Sequence, residues 1–279
     1  MTGQIVQRPF ERVLAYLFLI ACGFVMAFPF IYMFASSLKT SSEVVQVPPK
    51  LFPSVLQLYN YVEVLNIVPL GTQLWNTVIV TSCVVAGWVV TSVLAGYAFA
   101  RLEFPGRDLL FGAYLTTLMV PFAVLIVPMY RLMQFFNWVD KLEALIIPWL
   151  FTAYGTFLLR QFFMGIPKDL EEAALIDGAS RWGTLFRIFM PLARPAMATL
   201  ATFGFLYAWN SFLWPLIIIS DPNKKVITQG LMDLQALYAV RVDLIMAGST
   251  LAVLPTLIVF LFAQRYFIEG IATSGLAGR

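Results

Sequence analysis

Apolar runs and charged residues barely mix along this chain. Uncharged stretches occupy Val13–Leu38, Val64–Ala100, Leu109–Tyr130, Ala144–Leu159, Pro195–Ser220 and Leu244–Gln264. A helix needs about 20 apolar residues to cross a bilayer. Five of the six stretches meet that length. The fourth, at 16 residues, draws on its flanks, with Arg160 snorkelling and the helix running on through Phe162–Met164. The pattern predicts an all-α membrane protein with six transmembrane helices near 13–38, 74–100, 109–131, 143–164, 195–220 and 244–265.

The first connection, Lys39 to Thr72, carries Pro48, Pro49, Pro53 and Pro69. It is expected to pack across one face, with a short amphipathic segment around Leu56–Leu65. A second short helix is expected at Gln229–Leu237. Pro29, Pro121, Pro128, Pro148, Pro215 and Pro255 fall within the spans. Inside a bundle such prolines kink helices, and the freed carbonyls find other partners. Lys and Arg favour the side that holds Arg8, Arg12, Arg101, Arg107 and Arg160. By the positive-inside rule that side is cytoplasmic, with both termini. The first apolar run exceeds a signal-peptide core and reads as a retained span. The expected location is the cell (inner or plasma) membrane.

Composition agrees with this reading and removes several functions. The chain is 60% hydrophobic and 12% charged, where soluble domains carry about 25% charged residues. Mean hydropathy is +0.83. Histidine is absent, so catalysis or metal binding through imidazole is excluded. Cys22 and Cys83 both sit in apolar runs and suggest neither a disulfide framework nor a metal site. A net charge of +3 with no dense basic cluster does not indicate nucleic acid. The span cores lack the ionisable residues that mark proton relays and ion pumps. Sodium coupling stays open, because carbonyls and hydroxyls can bind that ion. No G-x-x-x-x-G-K-[ST] loop is present, and no Gly-Lys pair occurs. For uphill transport through this bundle, a separate motor subunit is the economical answer.

The longest charge-bearing segment lies at 166–194. It holds Lys168, Asp169, Glu171, Glu172, Asp177, Arg181, Arg187 and Arg194. Pro167 suits the first position of a helix. Asp169, Glu171 and Glu172 then fall where the helix dipole favours negative charge. Leu170, Ala173 and Ala174 are expected to share one face, kept shallow by the alanines. Asp177-Gly178 supplies a stop and a turn. Ser180 can cap a second helix. There Trp182, Leu185, Phe186, Phe189 and Met190 take the spacing of one amphipathic face, with Pro191 limiting its extension. From the residues alone, a solvated loop with an interfacial helix and a docking module for a motor both fit.

Glu172-Ala173-Ala174-x-x-Asp177-Gly178-Ala179, followed by Pro191 and Pro195, resembles the EAA signature of permease subunits in bacterial ABC importers. Further pieces resemble the maltose-type, sugar-importing branch. These are Ser37-Leu38-Lys39, the run Tyr97–Arg107, Phe157–Phe163, Trp209-Asn210 with Trp214-Pro215, and Gln264–Gly270 leading into a Gly-rich tail at 270–279. One departure is an aromatic at Phe186 where the family commonly has it at Leu185. The resemblance implies a six-helix type I importer permease with a cytoplasmic coupling helix-turn-helix. It implies pairing with a homologous permease, as a heterodimer. Two ABC ATPase subunits binding ATP and magnesium, and an extracytoplasmic solute-binding protein or lipoprotein, complete the complex. It assigns coupling to Glu172, Ala173, Ala174, Asp177 and Gly178, with Trp182 or Phe186 entering the partner, and lets the tail reach toward the ATPase. No catalytic residue, metal site or cofactor of its own is expected.

Trp209, Asn210 and Trp214 offer aromatic faces and an amide in the fifth span, the groups from which sugar sites are built. Asn210 in an apolar helix needs a hydrogen-bond partner, in substrate or in another helix. The expected solute is a carbohydrate or related compound. The competing reading is a stand-alone ion-coupled secondary carrier, and a membrane enzyme ranks below both.

Overall fold

The computed structural model describes the backbone of residues 9–276, and side chains from Phe10 to Gln264 with the exception of Glu11. Among the described residues the chain is helical without strands. In order it forms α1 (Pro9–Ser37), α2 (Ser41–Val44), α3 (Tyr59–Ile67), α4 (Leu70–Arg101), α5 (Arg107–Thr116) and α6 (Phe122–Phe135). Next come α7 (Glu143–Ile146), α8 (Ala153–Met164), α9 (Lys168–Ile176), α10 (Arg181–Thr184), a π turn at Leu185–Phe189 and α11 (Met190–Leu192). The rest is α12 (Arg194–Trp209), α13 (Leu213–Ile218), α14 (Ile227–Leu237) and α15 (Val242–Leu276). Helices α3 and α14 occupy the two places where short helices were expected. The tail expected at 270–279 is helical to Leu276; its side chains lie outside the described residues.

Among the described residues, three helices are long and apolar enough to cross a membrane: Arg12–Ser37, Leu70–Arg101 and Val242–Gln264. The other apolar stretches are interrupted, two of them at a proline. Arg107–Met119 and Phe122–Phe135 meet at 100° around Pro121. Pro148 lies in the 3₁₀ turn that separates α7 from α8. The expected helix over 195–220 is divided at Asn210–Phe212 into α12 and α13. Pro29 and Pro255, in contrast, sit inside α1 and α15 without ending them.

Two compact units are present. In the first, built from the chain up to Val68 and Leu231–Leu251, α1 leaves most of its length exposed. The connection after α1 is nevertheless tightly tied. Lys39 is buried, donates to Lys50 O at 2.6 Å and lies 5.0 Å above the Tyr32 ring. Asn60 Nδ2 donates to Ser37 O and Lys39 O. Arg241 makes a two-pronged ion pair with Glu63 at 2.9 and 3.0 Å and pairs with Asp243 at 3.0 Å. Those carboxylates hold its pKa above the ordinary arginine value. A guanidinium suits such a fork, because its planar donors match carboxylate oxygens.

The second unit, Pro69–Gly230 with the chain from Ala252 on, is organised around α4. Small residues let helices approach its axis closely. A Cβ on Gly96 would lie 3.0 Å from Arg160 N and Leu159 Cβ, and one on Gly155 would lie 2.4 Å from Ser92 Oγ. Near its N-terminal end, α4 projects three polar side chains on one face. Gln73 Nε2 donates to Pro222 O, and Asn76 Nδ2 donates to Asn223 O and Lys225 O. Thr77 Oγ1 accepts the Ile227 N–H at 2.8 Å. Asp140 secures the same loop by accepting the Ser220 and Asp221 N–H groups at 2.9 and 3.0 Å. Burying such backbone groups unpaired would be costly, so these bonds fix the loop's path.

Candidate functional site

The 166–194 loop begins where the acidic first turn predicts a helix. Pro167 stands one position earlier than expected, flanking α9 rather than opening it. The helix ends in a Schellman turn. Ala179 N–H donates to Ala174 O at 2.9 Å and Gly178 N–H to Leu175 O at 3.1 Å, with Gly178 at φ +79°. That left-handed conformation is where glycine is favoured. Ser180 then caps α10, its hydroxyl accepting the Gly183 N–H at 3.1 Å.

The single amphipathic face expected after Ser180 is divided. Leu185 and Phe189 are buried at 1% and 0% exposure, while Trp182 and Phe186 are exposed at 63% and 54%. The cause is the π turn, in which Met190 N–H reaches back five residues to Leu185 O. Widening the turn keeps i and i+4 together and rotates i+3 away. Leu185 and Phe189 thus face inward, while Trp182 and Phe186 stack outward with ring centroids 6.0 Å apart and planes at 16°. The alanine face also splits: Ala174 is buried, whereas Ala173 and Leu170 are exposed. Glu172, Asp177 and Gly178 are exposed as well. Around the turn the surface thus offers one carboxylate helix, a glycine corner and a stacked aromatic pair. Leu175 and Ile176 extend it with exposed apolar area.

Beneath that surface an aromatic triangle holds the loop to the bundle. Tyr97 of α4, Phe163 of α8 and Phe189 meet edge to face with centroids 5.2–6.3 Å apart. Arg101, at the end of α4, is the polar counterpart. Its guanidinium donates to Phe163 O at 2.5 Å and to Ile166 O, pairs with Glu171 of α9 at 3.6 Å, and lies 4.9 Å over the Phe189 ring. Carbonyls at a helix C-terminus lack intrahelical partners, and a cation there also complements the dipole. A cavity of about 190 Å³ separates α4 from the loop, lined by Tyr97, Arg101, Glu103, Glu171, Arg181 and Thr184 among others. Arg160, expected to snorkel, instead lies 4.2 Å from the Phe111 ring and donates to Phe99 O at 3.2 Å.

The fifth-span residues are separated by the break after α12. Trp209 is buried, and its indole N–H donates to Ala252 O at 3.0 Å. Trp214 is buried and donates to Ala144 O at 2.9 Å. Asn210 is exposed and turns its amide onto Leu206 O of its own helix at 2.8 Å, closing that end. The cavity beside Trp214 is about 20 Å³, room for about one water. Trp209 borders a larger cavity of about 380 Å³ with Val85, Phe205, Pro255 and Val259. Hydroxyls of Thr81, Ser82 and Thr202 are the polar side-chain groups of that lining.

Residues 89–272 match the family described as the binding-protein-dependent transport system inner membrane component. This chain belongs to that family. The arabinooligosaccharides transport system permease protein AraQ of Halalkalibacterium halodurans is 34% identical, over 92% of this chain and 93% of the relative. AraQ of Bacillus subtilis is 32% identical over 96% of each. The sn-glycerol-3-phosphate transport system permease protein UgpE of Brucella abortus is 32% identical, over 95% and 97%. Among solved structures, a bacterial ABC transporter involved in the import of the acidic polysaccharide alginate matches with a TM-score of 0.80. At 23% identity it covers 93% of this chain and 98% of that one. A bacterial alginate ABC transporter in complex with an alginate pentasaccharide-bound periplasmic protein gives 0.66 at 15% identity, covering 90% and 92%. The fold is that of an ABC importer permease. Like its relatives, this permease is a non-catalytic membrane component of a transport system.

Sequence reasoning placed the loop's charged residues and its turn, but missed the anchor beneath them. In the sequence Arg101 shows only as a basic residue within the Tyr97–Arg107 run. Glu171 and Glu172 look alike in the sequence, although one turns inward to Arg101 and the other is exposed. An arginine ending a long apolar helix, with aromatics at Tyr97 and Phe99, is the one signal that pointed there.

Proposed function

We propose that this permease forms the translocation path of an ATP-driven importer for a carbohydrate or related solute, together with a second, homologous permease. The 166–194 loop docks in a cleft of an ABC ATPase, which binds ATP and magnesium, and an extracytoplasmic binding protein delivers the solute. The chain crosses six times, as α1, α4, α5 with α6, α7 with α8, α12 with α13, and α15. Both termini and the loop are cytoplasmic. In this reading Glu172 is the charged contact, Ala173 the close-approach surface, Asp177-Gly178 the corner that sets the angle, and Trp182 with Phe186 the apolar anchor. ATP-driven closure moves the loop and switches the bundle by rigid-body motion. Trp209 and Trp214 serve packing here, since both indoles already bond within the fold.

The observation that carries this reading is the outward stack of Trp182 and Phe186 beside the Gly178 corner, on a loop anchored from below. Aromatic side chains exposed together in this way are typical interface anchors. The solute class rests on what the relatives AraQ and UgpE transport. The test uses the complete importer reconstituted in vesicles. Glu172→Ala and Gly178→Pro should insert normally yet abolish ATPase stimulation by the liganded binding protein. Proline cannot adopt the φ of +79° at position 178. Full coupled transport in both variants would defeat the docking assignment. Uptake by the permease without ATPase subunits would restore the ion-coupled carrier.

A further inference from the structure

The loop and α4 face each other across the 190 Å³ cavity, which Arg101 spans beside Tyr97, whose hydroxyl lies 3.5 Å from Arg181 O. Its side chain is 5% exposed and that of Glu171 is 18% exposed. Three elements converge on this one guanidinium: the α8 terminus through Phe163 O and Ile166 O, α9 through Glu171, and the π turn through the Phe189 ring. Its Nε has no protein partner, so its orientation is set by these contacts. Arg101 is also the last residue of a helix that runs from Leu70 through the centre of the unit.

We propose that Arg101 is the positioning residue that ties the loop's movement to α4, with Glu171 as its grip on α9. The proposal rests on the docking reading above and adds the route by which force on the loop enters the bundle. Without the guanidinium, α9 loses its ion pair to α4 and stays joined through its chain links to α8 and α10, while Tyr97 still meets the loop at the Phe189 ring and Arg181 O. A displaced α9 could then move without α4. Lysine keeps the charge but offers a point donor in place of a planar fork, so it cannot hold carbonyls and carboxylate together.

The test uses the complete importer with Arg101→Lys, Glu171→Gln and the conservative Glu171→Asp. Three quantities are read: ATPase subunits retained on the permease, basal ATP hydrolysis, and the increment caused by the liganded binding protein. Arg101→Lys and Glu171→Gln should retain subunits and basal hydrolysis. The increment should fall at least about fivefold, the lower end of typical coupling effects. Glu171→Asp should recover most of it. An unchanged increment in both variants overturns the proposal. So does a parallel loss of subunits and hydrolysis in Glu171→Gln, which would make the pair a folding brace only. Glu172→Ala and Gly178→Pro, run alongside, separate the two levels. If they uncouple the complex while Arg101→Lys and Glu171→Gln do not, docking stands and the Arg101 route falls.

Discussion

The two ends of α4 each hold a loop, by different chemistry. At the N-terminal end, Gln73, Asn76 and Thr77 contact the 222–227 backbone through separate neutral hydrogen bonds, and the Asp140 carboxylate accepts two from 220–221. At the C-terminal end, one guanidinium serves three elements over an aromatic triangle. Distributed bonds fix a path, because losing one leaves the others. A hub concentrates the connection, so whatever moves one partner is felt by all. The first arrangement suits a loop that keeps its shape. The second suits a loop whose displacement must be communicated.

Removing the hub is the strongest way to break this comparison. Arg101→Ala leaves Glu171 and two helix-terminal carbonyls without their cation. Breaking a largely buried pair from one side costs about 3 kcal/mol or more. Limited proteolysis of the solubilised complex should then cut 166–194 well before 219–230, with a lowered melting temperature. Earlier cleavage in 219–230 would show that the two ends are not independent. The next largest effect is expected at the other end. A Cβ on Gly230 would lie 1.8 Å from Gln73 Oε1 and 3.1 Å from Leu70 Cδ1. Gly230→Ala must therefore displace Gln73 from Pro222 O. Overpacking of this kind costs about 1–3 kcal/mol, and the protease pattern should reverse, with 219–230 exposed and 166–194 protected. Equal protection of both loops in this variant would mean that Asn76 and Thr77 suffice.

How much of this was legible follows from where the partners lie. Membrane spans and the loop's acidic start, turn and cap are local patterns, and the chain shows them directly. Gly178 was legible because a positive φ favours glycine. The division of the amphipathic face was not, since nothing in Trp182–Met190 distinguishes a π turn from an α turn; the packing of Leu185 and Phe189 decides it. Prolines marked possible breaks without saying which would bend: Pro121 lies at a 100° corner, while Pro255 lies inside α15. The anchors at both ends of α4 were hidden for one shared reason. Arg101, Gln73 and Asn76 bond mainly to backbone carbonyls, which leave no mark on a sequence.

The smallest expected effect concerns Asp140 and uses pH to separate the two ends. The Asp221 and Ser220 N–H groups hold its carboxylate below the usual aspartate pKa, with Lys224 at 3.8 Å adding a weaker attraction. A lowered folded pKa means the ionised form favours the folded loop. That contribution is complete above the usual aspartate range and fades as pH falls through the lowered value. The side chain is partly exposed, so solvent screening keeps the effect modest. Proteolysis of 219–230 by an acid-active protease should therefore rise with acidification below the usual aspartate pKa. Asp140→Asn should cut as fast at mildly acidic pH as the native chain does after acidification, because its amide oxygen accepts the same two N–H groups without a charge. If Asp140→Asn keeps the native pH dependence, the acid response belongs to another carboxylate. The charge on Asp140 would then add nothing to the hold on this loop.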